Sequence, residues 1–453
     1  MKNNSLKSVH ITNYYHAVSG GVKTNYDKLL VEANKNQRYV SLIVPGEEEK
    51  TEQVGEYGKI YYIAAKPSPI FDKRYRLMLP QQYIPGESVI RKVLMQEMPD
   101  MIEIYDNYSL TLLAGLIRRG NFKQLNRPML VYFTGERFDT IFQSFVTKNW
   151  FGKWFPKRLM SNYNLAMFDF YIANSDFVAE EINDALCESK NQHRSEMFLN
   201  KCWRFFNGAR IPYEKRIEIC PRGVDTEFYS PNNKSSEFRK EICEKFGFPE
   251  NSVILMTSTR LSPEKNIQIL SPIMQKLAKN EKTDFRLIVA GAGPREEWLK
   301  EECDKYFPKK MQLAGHLDKS TLAKYYANCD IFIHPNPREP FGNVGLEAMA
   351  SGAACAFPNS GGVLTYANAE NSWLVEPTAD GYVNAFEQII SSNEETTRRR
   401  ENAIKTAEAN SQSKAIGKLF ATYDRMFEDF QRNPELFGNE NSLKNFDFAK
   451  LFS

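Results

Sequence analysis

Short apolar runs recur along the chain, each closed by glycine, proline or a small polar residue and followed by a stretch with helical spacing. Val9-His10-Ile11-Thr12-Asn13-Tyr14-Tyr15 reads as a first strand. Ser19-Gly20-Gly21-Val22 then turns it into a helix pattern running through Leu29, Leu30 and Val31. Further strands are predicted at Val40–Val44, Ile60–Ile63, Met101–Tyr105 and Met129–Phe133, separated by helix-compatible stretches such as Leu110–Arg119. Tyr171-Ile172-Ala173-Asn174-Ser175 reads as strand and cap, with a helix from Asp176. Alternating strand and helix predicts parallel sheets with right-handed crossovers, so the fold class is α/β.

A second series begins at Val253-Ile254-Leu255-Met256-Thr257-Ser258-Thr259-Arg260. It continues through Phe285–Ala290, Met311–Gly315, Ile331–His334, Gly352–Phe357 and Ser372–Val375. With 453 residues the chain exceeds one ordinary domain. The polar run Ser230–Ser236 marks the expected hinge, which gives an N-terminal domain of residues 1–230 with an insertion about 185–215, and a second domain of residues 231–410. Residues 411–453 hold a helix with Leu419, Tyr423 and Phe427 at helical spacing.

The chemistry concentrates in Pro337-Arg338-Glu339-Pro340-Phe341-Gly342-Asn343-Val344-Gly345-Leu346-Glu347. The strand Ile331-Phe332-Ile333-His334 stops at Pro335 and a helix pattern starts near Asn343, so Glu339 lies in a loop at a strand's carboxyl end, where open α/β sheets bind ligands. Gly342 and Gly345 let backbone approach a bound group, and the first free N–H groups of the helix form an anion seat. Glu339 and Glu347 flank that seat, and ionised carboxylates accept hydrogen bonds from paired hydroxyls. Phosphate between two hydroxyl-binding carboxylates describes a nucleotide sugar.

With Pro-Phe-Gly and Gly-Leu-Glu-Ala-Met-Ala around the two glutamates, this segment resembles the Glu-x7-Glu signature of the family 4 retaining glycosyltransferases. The resemblance implies the GT-B architecture: two doubly wound Rossmann-like domains about a ligand cleft, the first binding acceptor and the second the nucleotide sugar, with the terminal helix packing across both. It gives Glu339 the donor sugar hydroxyls and Glu347 the ribose. Arg260-Leu261, followed by Glu264-Lys265-Asn266, resembles the family's Gly-Arg-Leu…Glu-Lys-Asn element, with Thr259 where glycine usually stands. That match implies that Arg260 and Lys265 hold the donor diphosphate. Two fixed cations there favour the transition state, because the leaving nucleotide gains negative charge as the glycosidic bond breaks. Phe341, Gly342, Asn343 and Val344 fall beside the phosphate, and Gly291, Gly293, His316 and Leu317 where the family shapes its nucleoside pocket. Gly20 and Gly21 match a glycine pair that faces the donor phosphates, although a tight turn also explains either one.

Many family members carry a histidine at the strand end where this chain has Phe133. The acceptor-side candidates are therefore His16, Thr134, Glu136 and Asp139, with a salt bridge to Arg137 as the ordinary alternative for the carboxylates. Lys66–Leu77 resembles a loop of members that glycosylate phosphatidylinositol or diacylglycerol, which places the chain nearest the lipid-acceptor mannosyl and sulfoquinovosyl transferases.

Charge narrows the partners. A net charge of +3 is too balanced to argue for nucleic acid. Two local segments mix aromatic rings with basic heads, Lys148–Arg158 with Trp150 and Trp154, and Lys201–Phe206 with Trp203. Such segments suit an anionic membrane interface, or rings packed inward with the basic groups snorkelling outward. No apolar run is long enough to span a bilayer and no signal-peptide core is visible, so a cytoplasmic protein, peripheral on the inner face of the membrane, is expected. The seven cysteines show no metal or disulfide spacing. No Asp-x-Asp pair occurs, so no metal or other cofactor is expected beyond the UDP-sugar or GDP-sugar co-substrate. The expected reaction moves a hexosyl unit, with retention, to an acceptor hydroxyl of a lipid or glycan. A GT-B epimerase of nucleotide sugars and an inactive nucleotide-sugar-binding protein are the rival readings.

Overall fold

The structure, a computed structural model, describes residues 6–16, 21–68, 75–107, 109–145, 147, 149–190 and 193–438. The chain forms two compact units. One runs to Arg222 and resumes at Ile416; the other is Gly223–Ala415. The division falls ahead of the polar run at Ser230 because Val224 and Tyr229 already pack into the second unit's core and Val224 pairs with Ser411 in an isolated bridge.

The first unit is built on β1 (Ser8–Thr12), β2 (Val40–Gly46), β3 (Lys50–Val54), β4 (Gly58–Ala64), the two-residue ribbon strands β5 (Lys66–Pro67) and β6 (Arg76–Leu77), then β7 (Met101–Tyr105), β8 (Met129–Thr134), β9 (Phe170–Ala173) and β10 (Ile217–Ile219). Its main sheet has the order β10-β9-β8-β7-β1-β2-β4-β3, and order reversal about β1 makes it doubly wound. β1 sits centrally, with Ser8 opposite both Val40 and Met101 in parallel register. Its near-continuous burial matches a strand covered on both faces. β3 is the exception, antiparallel to β4 and mostly exposed. Its sequence, Lys-Thr-Glu-Gln-Val, suits an edge and lacks the apolar run that announces the others.

Within this unit the helix Gln412–Arg432 buries Ile416, Leu419, Phe420, Tyr423 and Met426 against the sheet core. A buried ionic cluster pins it. Glu103 on β7 accepts from His10 Nδ1 (3.0 Å), from Arg222 (3.0 Å) and from the Tyr423 hydroxyl. Burial alone pushes the Glu103 carboxyl up, but Arg222 and His10 outweigh it and bring it down to about 2.

The aromatic and basic segments divide. Trp150–Leu159 is a helix with Trp150 71 % and Trp154 39 % exposed. Trp203 follows the inward alternative and leaves the membrane role expected of it without an exposed ring: it is 2 % exposed, lies in the core, and its indole N–H donates to Ala209 O (3.1 Å). The helix His193–Phe205 turns Met197, Phe198 and Phe205 outward instead, at spacings that share one face with Lys201 and Arg204.

The second unit carries β11 (Val253–Ser258), β12 (Phe285–Ala290), β13 (Met311–Gly315), β14 (Ile331–Ile333), β15 (Ala354–Pro358) and β16 (Trp373–Val375) in the order β13-β12-β11-β14-β15-β16. All neighbours are parallel. The sheet is thus another doubly wound layer, with its order reversing between β11 and β14. Among the described residues no helix is long and apolar enough to cross a membrane, and all seven cysteines are free thiols.

Candidate functional site

Because β11 and β14 are parallel neighbours, the loops leaving their carboxyl ends lie side by side. From β11 come Arg260, exposed, and Lys265; from β14 come His334, Asn336 and Glu339. The loops are stitched together by Asn266, which adopts a left-handed conformation (φ 54°) and donates from Nδ2 to Pro335 O (2.8 Å). That tie delivers Lys265 to Glu339, and its ammonium contacts both carboxylate oxygens at 3.0 and 2.9 Å. Asn336 Nδ2 adds a third donor to Oε2 (2.9 Å). Burial pushes the Glu339 carboxyl up, but Lys265, then His334, reverse it and hold it at about 2, so it stays ionised.

The turn after β12 closes tightly on the same loop. A Cβ on Gly291 (φ 136°) would lie 1.9 Å from Thr259 O, and one on Gly293 2.4 Å from Leu261 O. Hydrogen bonds from Thr259 N to Ala290 O and from Leu261 N to Ala292 O make this backbone-on-backbone packing, so only glycine fits. His316 is exposed beyond β13, and Leu317 packs against the unit's core.

The helix Asn343–Ala350 starts from Gly342 in the left-handed region (φ 84°). The Tyr366 hydroxyl donates to Gly342 O (2.7 Å), and Gly345 N–H donates to the same carbonyl (2.9 Å). The N–H groups of Asn343 and Val344, as the first of the helix, have no acceptor within it, and the dipole places positive potential there. Phe341 is buried against Tyr366 and sets the loop on the core. Glu347, one turn into the helix, accepts from the Tyr326 hydroxyl (3.2 Å) and lies beside Tyr229. Burial dominates here, and Tyr326 only partly offsets it, so the carboxyl is pushed up to about 7. Two glutamates eight positions apart thus have opposite protonation tendencies, chiefly because Lys265 touches one of them.

The first unit places its candidates separately. Gly21 opens the helix Gly21–Lys35 and is exposed, while Gly20 lies outside the described residues. His16 stacks on Tyr75 (4.8 Å between ring centres). Thr134 is buried at the end of β8 and donates to the Glu136 backbone carbonyl (3.1 Å), and Glu136 itself is exposed. Asp139 is buried and held by Arg137 through two bonds (3.1 and 3.0 Å). Its N–H, with that of Phe138, donates to Glu181. Burial, then Asp139, pushes Glu181 up to about 8. Phe133 is buried with the Arg222 guanidinium over its ring at 4.0 Å, so a cation already occupies the face of the residue standing at the family's histidine position.

Sequence reasoning did not find His334, Asn336, Tyr326, Tyr229 or Tyr366. Asn336 was open to discovery, as an amide between Pro335 and Pro337 just ahead of Glu339. The tyrosines come from other helices and loops, and no local spacing points to them.

The Glycosyl transferases group 1 family matches residues 238–406, the stretch that holds Arg260, Lys265, Glu339 and Glu347. A GDP-mannose-dependent alpha-(1-6)-phosphatidylinositol dimannoside mannosyltransferase from Mycobacterium tuberculosis is 22% identical over 93% of this chain and 97% of its own length. A sulfoquinovosyl transferase from Arabidopsis thaliana is 30% identical, over 33% of this chain and 27% of its own. Among solved structures, a glycosyltransferase from Rickettsia africae aligns with a TM-score of 0.66 at 16% identity, covering 94% of this chain and 100% of that one. At that identity the likeness establishes the fold, two Rossmann-like units of GT-B type.

Proposed function

We propose that the chain, which carries a Glycosyl transferases group 1 domain, is a glycosyltransferase that transfers a hexosyl unit, with retention, from a UDP- or GDP-linked sugar to an acceptor hydroxyl. In this reading Glu339 accepts hydrogen bonds from the sugar hydroxyls and Glu347 from the ribose. Arg260, Lys265 and the N–H groups at Asn343 and Val344 hold the diphosphate, and Gly291, Gly293, His316 and Leu317 border the base. The observation that supports it best is the contact of Lys265 with Glu339 beside a helix N-terminus. One loop pair there presents a fixed cation, an ionised carboxylate and an anion seat, the three features a sugar diphosphate needs.

The bond between the anomeric carbon and the leaving phosphate oxygen breaks as the acceptor oxygen attacks from the same face. The acceptor proton passes to a donor phosphate oxygen. No protein nucleophile takes part, unlike retaining glycosidases, whose two carboxyl groups flank the bond closely. Negative charge growing on the nucleotide is met by Arg260 and Lys265, which do for the diphosphate what a metal ion does in other transferases.

A membrane acceptor is supported by the name of the mycobacterial relative and by the exposed rings of Trp150, Phe151 and Trp154, with the outward face of His193–Phe205 taking the place expected of Trp203. The test is transfer from radiolabelled UDP- and GDP-hexoses to anionic vesicles carrying phosphatidylinositol or diacylglycerol, with and without EDTA. The proposal expects an α-linked product from an α-linked donor and unchanged turnover in EDTA. Inverted product, or activity lost in EDTA and restored by manganese, would refute retention or metal independence respectively.

A further inference from the structure

His334 is a buried imidazole with hydrogen-bonding capacity that no described residue uses. It follows β14 directly and is 3 % exposed. Its backbone is fully committed, with N–H donating to Ala356 O (3.1 Å) and the carbonyl accepting from Tyr382 (2.7 Å), so the ring's place is fixed. Phe357 meets the ring edge-on, and a Cβ on Gly342 would lie 3.2 Å from Nε2. The ring therefore floors the start of the helix Asn343–Ala350. Nδ1 is buried with no hydrogen-bond partner among the described residues, and Nε2 stands 3.9 Å from Glu339 Oε2, beyond hydrogen-bond range. A buried polar ring left unpaired beside a functional carboxylate is costly unless another state of the site uses it.

That other state follows from the charges. In the free protein Lys265 serves Glu339, yet a donor diphosphate competes for the same ammonium. We propose that His334 is a positioning residue for Glu339: when Lys265 turns to the diphosphate, His334 Nε2–H closes on Oε2 and keeps the carboxylate aimed at the sugar hydroxyls. Without it Glu339 would be held by Asn336 alone and free to swing. The ring suits a neutral donor, since burial, against the partial opposition of Glu339, pushes it down to about 4. The inference rests on the donor reading above and concerns the sugar rather than the nucleotide.

The test compares affinities of the full-length protein for UDP and GDP with those for UDP-glucose and GDP-mannose, by titration calorimetry. In the wild type the sugar conjugate of the preferred nucleotide binds more tightly than the diphosphate. His334→Leu should cut that sugar increment about tenfold, the worth of one hydrogen bond to a charged group. His334→Gln, whose amide can donate from a similar place, should recover most of it. A merely structural role would weaken both ligands alike and leave the ratio unchanged, and that result overturns the proposal. In the wild type itself, the His334 ring nitrogens should move in 15N spectra on adding the sugar conjugate. A ring that stays unmoved also overturns it, whether or not the leucine variant folds. A wild type that binds neither nucleotide nor conjugate refutes the donor reading instead, and this inference with it.

Discussion

At the scale of the residue, the two glutamates of the central loop differ through their neighbours. Glu339 is neutralised by Lys265 in direct contact, whereas Glu347 has tyrosine hydroxyls and the more distant charge of Lys319, which together fall short of the cost of burial. Its carboxyl is raised to about 7, so the folded state holds a proton that the unfolded chain has already released above about pH 4.5. Stability contributed by that proton is present below about pH 4.5 and is lost as pH rises through 7. Glu347→Gln should therefore stabilise the protein at pH 8 by about 2 kcal/mol and have little effect at pH 4.5, as read from urea unfolding at the two values. Nucleotide binding has the opposite sign: ribose hydroxyls need the ionised form, so affinity should fall as pH drops below 7. Gly291 makes a second residue-scale case. A methyl group there meets Thr259 O at 1.9 Å in a backbone conformation that only glycine takes easily. Gly291→Ala should cost about 2 kcal/mol or more in chemical denaturation and should push the turn after β12 away from the loop that presents Arg260 and Lys265. The residue types at these positions were legible in the sequence, down to the Glu-x7-Glu spacing. Their protonation was not, because Tyr326 and Tyr229 reach Glu347 from distant positions.

At the scale of the element, most strands were visible because parallel strands buried on both faces read as apolar runs. β3 escaped because an exposed edge strand needs no such run, and its polar residues look like a loop. Trp203 shows what spacing leaves open: Lys201, Arg204 and Phe205 around it are exposed, and only the helical turn decides which ring faces inward. The terminal helix Gln412–Arg432 was recognisable from its apolar spacing, but the buried anion it caps was not. Tyr423 donates to Glu103, which also satisfies Arg222 and His10. Tyr423→Phe should remove one bond and cost about 1.5–3 kcal/mol in thermal or urea unfolding. Arg222→Leu, which strands the Glu103 charge in the core, should cost about 3–5 kcal/mol by the same measurement.

At the scale of the whole molecule, two doubly wound sheets carry different kinds of residue at their strand ends. The second gathers cations, glycines and carboxylates into one loop cluster. The first has an aromatic strand end at Phe133, a buried pair at Arg137 and Asp139, and exposed aromatic helices. The helix with Trp150 and Trp154 exposes rings that gain nothing from water and suit the headgroup layer of a bilayer. Replacing both by serine should weaken binding to anionic vesicles about tenfold in sedimentation assays while leaving nucleotide binding unchanged, because these rings belong to the first unit and the proposed donor groups to the second. Equal vesicle binding by the variant would place any membrane contact elsewhere.

The central claim is that Arg260, Lys265, Glu339 and Glu347 form a nucleotide-sugar site, and its most direct test is ligand-dependent thermal stability. UDP, GDP, ADP and their sugar conjugates would be added to the wild type, Lys265→Ala and Glu339→Ala. A ligand at about one hundred times its Kd stabilises the folded state by about 2.7 kcal/mol, a readily resolved rise in Tm. One nucleotide should raise the wild-type Tm, Lys265→Ala should lose that rise, and Glu339→Ala should keep the response to the diphosphate while losing the extra response to its sugar conjugate. No rise with any nucleotide, or an undiminished rise in Lys265→Ala, would contradict the assignment.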